Sequence, residues 1–222
     1  MDGIKLAAVV FDLDGLIVNS EDVYERVDME VLRRRGQAFE PALREKMMGR
    51  TAAQSVQIMI DHHALMESVE SLDAERTVLF DELIIESVAS MPGFLPLLAA
   101  LDAANIPAAI ATSGTRTYAT KVLDRLAISD RFCFVLTAED IRHGKPAPDV
   151  YLLAAKRLNL RPEQVFVLED SGNGCAAGVA AGAFTVAVPN RHTAGHDFTG
   201  ARFIAETLAD RRIYEALRIA TR

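Results

Sequence analysis

Short, continuous apolar runs alternate along this chain with longer stretches whose apolar residues recur at helical spacing. Leu6 to Phe11 is Val-rich, unbroken and closed by an acid, the pattern of a parallel strand buried on both faces. Similar runs recur at Ile106 to Ala111, Phe132 to Leu136, Val165 to Leu168 and Phe184 to Val188. Between them lie stretches of helical length, at Thr115 to Leu126, Pro148 to Leu158 and Asn173 to Ala181. Strand alternating with helix predicts an α/β fold, a Rossmann-like doubly wound parallel sheet.

One segment departs from the alternation. From about Ser20 to Ala89 the apolar residues keep helical spacing, as in Val23, Val27 and Val31, and no strand-like run interrupts them. Gly36 after Arg33-Arg34-Arg35 reads as a helix stop with cations in the last turn. Thr51 and Gln54 form a capping-box pattern ahead of another helix. Met91-Pro92-Gly93 then breaks the helical stretch. The expected organisation is an α/β core of residues 1–19 and 91–222, with an all-helical cap of residues 20–90 inserted after the first strand.

Composition narrows the class of function. The 222 residues carry 31 acidic and 24 basic side chains, a net charge of −7. That balance disfavours an extended nucleic-acid or membrane surface, yet leaves room for a small anionic substrate met by one local cation. No run reaches transmembrane length and no leader-like pattern opens the chain. Cys133 and Cys175 lack a metal-like spacing and lie in contexts suggesting a buried strand and a helix start. A soluble, cytoplasmic, monomeric protein is expected.

The chemistry collects where the predicted strands end, which is where open α/β sheets bind ligands. Asp12-Leu13-Asp14-Gly15 follows the first run. Alternate residues of a strand share a face, so both carboxylates can point the same way, one to attack phosphorus and the other to move a proton. A pair of turn-forming aspartates is the plainer alternative. Thr112-Ser113-Gly114 offers hydroxyls and freed N–H groups suited to phosphate oxygens, or simply a helix cap. Lys145, stiffened by Pro146 and Pro148, can neutralise a phosphate or a crowded carboxylate pair, or be a solvated surface lysine. Glu169-Asp170 closes the fourth run, and its hard oxygens gathered with Asp12 favour Mg²⁺. An acidic helix N-terminus would need no metal, but four converging carboxylates without a cation would repel one another.

With these four motifs in this order, the chain resembles the haloacid dehalogenase superfamily. Phe11-Asp12-Leu13-Asp14-Gly15 matches its first motif, Thr112-Ser113 its second, Lys145 its third and Glu169-Asp170 its fourth. The helical insert and the stretches His143 to Asp149 and Leu168 to Gly174 resemble the small-cap branch of β-phosphoglucomutases, pseudouridine-phosphate phosphatases and sugar-phosphate phosphatases. The resemblance implies a Mg²⁺-dependent phosphatase acting on a small phosphorylated metabolite. Asp12 would form an aspartyl-phosphate and Asp14 would be the acid/base. Asp12, the Asp14 carbonyl and Asp170 would hold the metal, with Glu169 as ligand or support. Thr112, Ser113 and Lys145 would bind the phosphoryl group, and Tyr24, Arg50 and Arg116 would face the rest of the substrate. Tyr24 stands where β-phosphoglucomutases carry a His, and Arg50 is displaced from their cap arginine. Both departures weigh against the alternative of a phosphosugar mutase. A non-catalytic phosphate-binding protein is the third reading, opposed by retention of Asp12 and Asp14.

Overall fold

The computed structural model describes residues 4–47 and 52–220. In chain order its elements are β1 (Ala8–Phe11), α1 (Ser20–Arg33), α2 (Pro41–Met47), α3 (Ala52–His63), α4 (Val69–Ser87), α5 (Phe94–Ala103), β2 (Ala108–Ala111), α6 (Arg116–Arg125), β3 (Val135–Leu136), α7 (Asp149–Arg157), β4 (Val165–Glu169), α8 (Gly172–Ala180), β5 (Phe184–Ala187) and α9 (Arg211–Leu217). The chain divides into two units, Ser20–Val88 and the remainder, Met1–Asn19 with Ala89–Arg222.

The larger unit is built on a five-stranded, wholly parallel sheet of order β3-β2-β1-β4-β5. Each expected apolar run contains one strand. β1 lies at the centre, with Val10 registered against Ala109 on one side and Val167 on the other. All four residues of β1 are buried, as a strand covered on both faces requires. On one face Val10, Ala109, Ala111 and Val167 pack with Val150, Tyr151 and Ala154 of α7 and Ala177 of α8. On the other, Phe11 meets the edges of Phe94 from α5 and of Phe132, at centroid distances of 5.8 and 6.3 Å. Parallel strands with helical crossovers bring every strand's carboxyl end to one side of the sheet.

Among the described residues of the other unit, every element is a helix, α1 to α4. Asp28 of α1 and Arg76 of α4 form a buried ion pair, Nε to Oδ1 at 2.6 Å, and burial pushes the Asp28 carboxyl up in spite of that partner. Gly36 takes φ +68° just past α1, the left-handed stop its position suggested. Thr51 of the expected capping box lies outside the described residues. Among the described residues no helix is long and apolar enough to cross a membrane.

One expectation is corrected. Cys133 is exposed. β3 is an edge strand, and although the Cys133 N–H donates to the Ala108 carbonyl at 2.8 Å and Phe132 beside it is buried, the Cys133 side chain is left uncovered. Cys175, near the start of α8, is buried as read, and burial pushes its thiol pKa up, which keeps it a packing residue.

Candidate active site

β1 delivers Asp12 to the carboxyl edge of the sheet immediately after Phe11, and its backbone N–H donates to the Leu168 carbonyl of β4 at 3.0 Å. β4 ends on Glu169, which is fully buried, and Asp170 follows it, 2 % exposed. Carboxylate oxygens of Asp12, Glu169 and Asp170 all lie within 4.8 Å of one another. Lys145 enters from the loop before α7. Its ammonium donates to Asp12 Oδ1 at 2.5 Å, to Glu169 Oε1 at 2.6 Å and to the Ala111 carbonyl at the end of β2 at 2.9 Å. It is therefore a buried cation, and the solvated alternative falls away.

Three carboxylates gather here, and two of them, Asp12 and Glu169, share the buried Lys145 ammonium. Burial pushes the Asp12 carboxyl well above its ordinary range, the charges of Glu169 and Asp14 add to the effect, and Lys145 pulls against it. Burial works against the Lys145 ammonium too, but Asp12 and Glu169 more than offset it and hold its pKa above the ordinary lysine value. Such a donor set, all hard carboxylate oxygen, could hold a hard metal ion.

Glu169 is held by several donors. Its Oε1 accepts from Lys145 and from the buried Tyr151 hydroxyl at 2.5 Å, and its Oε2 accepts from the Ser171 hydroxyl at 3.2 Å. Two donors on Oε1 use both lone pairs of that oxygen. Ser171 also caps α8 by accepting from the Gly174 N–H at 3.1 Å. Gly174 has to lack a side chain, because a Cβ there would come within 2.0 Å of the Glu169 carboxylate. Asn190, three residues past β5, donates from Nδ2 to Asp170 Oδ2 at 2.9 Å and to the Gly15 carbonyl at 3.0 Å, tying the ends of β1 and β4 together.

Asp14 is half-buried and turns to the β2–α6 turn. Tyr118 donates to its Oδ1 at 2.5 Å and Thr112 to its Oδ2 at 3.2 Å. Thr112 is buried, whereas Ser113 beside it is exposed.

Of the three residues expected to face substrate, Arg116 belongs to the same unit as the cluster, Tyr24 to the other unit, and Arg50 is outside the described residues. Arg116, at the start of α6, is half-exposed and its guanidinium is paired with Asp140 at 2.6 Å. Tyr24 is on α1 of the helical unit, 45 % exposed and stacked on Phe80 of α4 with centroids 4.1 Å apart. Asn190, Tyr118 and Tyr151 went unforeseen, and Ser171 lay within the stretch Leu168 to Gly174 without a role of its own. Asn190 and Ser171 sit just past strand ends, like the other motifs. Tyr118 and Tyr151 are helix residues with no local motif to mark them.

The haloacid dehalogenase-like hydrolase family matches residues 6–182, and those residues contain the whole cluster except Asn190. The chain belongs to that family. It is 34 % identical over 194 residues to (DL)-glycerol-3-phosphatase 2 of Arabidopsis thaliana, covering 84 % of this chain and 80 % of that protein. It is 28 % identical to the bifunctional riboflavin kinase/FMN phosphatase of the same plant over 93 % of this chain, but spans only 55 % of that longer protein. Among solved structures it resembles a HAD family hydrolase of Deinococcus radiodurans with bound phosphate and sodium. The TM-score is 0.81 and the identity 26 %, over 99 % of this chain and all of that one.

Proposed function

We propose that this hydrolase is a Mg²⁺-dependent phosphatase that cleaves a small phosphomonoester, a sugar phosphate or nucleotide-like metabolite, through a phosphorylated Asp12. The observation that carries the reading is the pairing of a buried, lysine-held Asp12 with a second carboxylate, Asp14, two residues further along. The phosphatase names of the curated relatives support the same class of substrate.

In the first step Asp12 attacks phosphorus. As its bond to phosphorus forms, the bond from phosphorus to the ester oxygen breaks, and Asp14 passes a proton to that oxygen, which leaves as an alcohol. In the second step the Asp14 carboxylate takes a proton from water. The water oxygen bonds to phosphorus, the bond to Asp12 breaks, and inorganic phosphate and free Asp12 are restored. Lys145 holds Asp12 in place and offsets charge on the transferring group. Ser113, exposed beside Thr112, adds a hydroxyl within the same turn. Asp12, Asp170 and the Asp14 carbonyl would hold the metal, and Glu169, saturated by its own donors, would anchor Lys145. When bound, the cation neutralises the carboxylates and draws charge from the phosphoryl oxygens. Two free thiols accord with action in a reducing cytoplasm.

A phosphate-release screen over sugar phosphates and nucleotides, with and without Mg²⁺, tests the reading, with Asp12→Asn as the control. The wild-type protein should release phosphate only with a divalent cation, and Asp12→Asn should be inactive yet fold normally. Near-normal turnover by Asp12→Asn would remove Asp12 as the nucleophile. Isomerisation of a sugar phosphate on addition of a bisphosphate would convert the assignment to a mutase.

A further inference from the structure

The residue that follows β2 and the first turn of α6 meet Asp14 with two hydroxyls, one on each carboxylate oxygen. The Tyr118 phenol donates to Oδ1 at 2.5 Å and the Thr112 hydroxyl to Oδ2 at 3.2 Å. The Thr112 Oγ1 is itself an acceptor for the Gly114 N–H at 2.9 Å, which orients its single proton toward Asp14. One donor would leave the carboxyl plane free to rotate about the bond joining it to the rest of the side chain. Two donors on opposite oxygens fix that plane. A carboxylate has about four acceptor positions, so two remain for proton exchange with a substrate oxygen or a water.

Local structure holds the phenol in this place. Tyr118 is the third residue of α6, and its N–H is capped by the Thr115 hydroxyl at 3.3 Å, which sets the backbone from which the ring projects. The ring lies across Gly114. A Cβ at that position would stand 2.9 Å from Tyr118 Cδ1 and 3.2 Å from Thr112 Oγ1. A side chain at 114 would therefore disturb both donors at once.

We propose that Tyr118 is a positioning residue for Asp14, holding its carboxyl in the orientation that meets the leaving ester oxygen in the first step. The proposal rests on Asp14 being the proton carrier, and its test separates the two ideas. A general acid matters most when the departing group is a poor one, because a stable phenolate leaves without a proton. The kcat/KM of a two-step enzyme covers only the steps through alcohol release, so it isolates the acid role from later hydrolysis of the phosphorylated Asp12.

The experiment measures kcat/KM over a series of substituted phenyl phosphates of graded leaving-group acidity, with Mg²⁺, for wild type, Tyr118→Phe, Gly114→Ala and Asp14→Asn. Inhibition by inorganic phosphate is measured in parallel. Tyr118→Phe keeps the ring and loses only the donor. It should lose about tenfold on phenyl phosphate and less than about twofold on p-nitrophenyl phosphate, with phosphate inhibition unchanged. Gly114→Ala should show the same graded loss. Equal losses across the series, or weakened phosphate inhibition, would place Tyr118 in fold maintenance or phosphoryl binding and overturn the proposal. A graded loss for Asp14→Asn with a wild-type profile for Tyr118→Phe would overturn the positioning role alone. A wild-type profile for Asp14→Asn would overturn the proton-carrier reading and the positioning role with it.

Discussion

Asn190 shows how one amide can govern a charged site without being a ligand. It binds Asp170 Oδ2 and the Gly15 carbonyl together, so it fixes both the rotamer of one acid and the path of the loop that follows Asp14. Partners of this sort, one layer out from a metal, typically change affinity by about 10–100-fold when removed. Asn190→Ala should therefore raise the Mg²⁺ concentration for half-maximal activity by about tenfold, with kcat at saturating metal nearly preserved. A metal titration of phosphate release checks this, and an unchanged half-point would make Asn190 a loop brace only. Asp12, Glu169 and Asp170 were legible from sequence because each follows an apolar run, where chemistry is expected, and Lys145 because Pro146 and Pro148 mark its loop. Asn190 obeys the same rule after β5 but is a single residue without a neighbouring acid. Tyr118 and Tyr151 could not be read, since their hydroxyls reach the site across 104 and 18 residues of chain respectively.

At the scale of elements, helix caps separate structural from functional work. Ser68 caps α4 by accepting from the Ser71 N–H at 3.2 Å on an exposed surface. Ser171 caps α8 in the same way but also donates to the buried Glu169. Ser68→Ala should cost about 1 kcal/mol, the usual value of a cap. Ser171→Ala should cost about 1 kcal/mol more, because a buried carboxylate oxygen loses a donor. Denaturant unfolding of the two variants tests the difference, and equal costs would mean that water replaces the Ser171 hydroxyl at Glu169. Strands of the α/β unit were readable because two-sided burial makes a short continuous apolar run, here each closed by acids, hydroxyls or turn residues. Edge strand β3 was readable only in part. Its run has the right composition, but at the edge of the sheet Cys133 stays exposed, and coverage is a property of topology. Arg116 was expected to face the substrate, while its partner Asp140, 24 residues further on, was invisible until the chain folded.

For the molecule as a whole, the site is a concentrated piece of the net charge of −7, and its cost should appear in stability. Burial first, then Glu169 and Asp14, raise the pKa of Asp12 above the ordinary carboxylate value. Between the unfolded and folded pKa values the native state holds a proton that the unfolded chain has lost. Without metal, this group therefore takes stability away as pH rises through that window. A divalent cation needs Asp12 ionised and competes with its proton, so the stabilisation it supplies should grow over the same window. At about one hundred times its dissociation constant a native-state ligand adds about 2.7 kcal/mol. For a chain of this size each kcal/mol is worth roughly 2–4 °C in Tm. Thermal melts with excess Mg²⁺ and with chelator, taken across a pH series, should show a gap of several degrees near neutrality that narrows in acid. Exposed groups such as Glu30, drawn down to about 2 by its hydrogen bonds to Arg33 and then Arg34, lose their contribution as pH falls and bias each curve the opposite way. That bias is the same with and without metal, so the gap isolates the buried cluster. A gap independent of pH would mean that the cation binds away from Asp12.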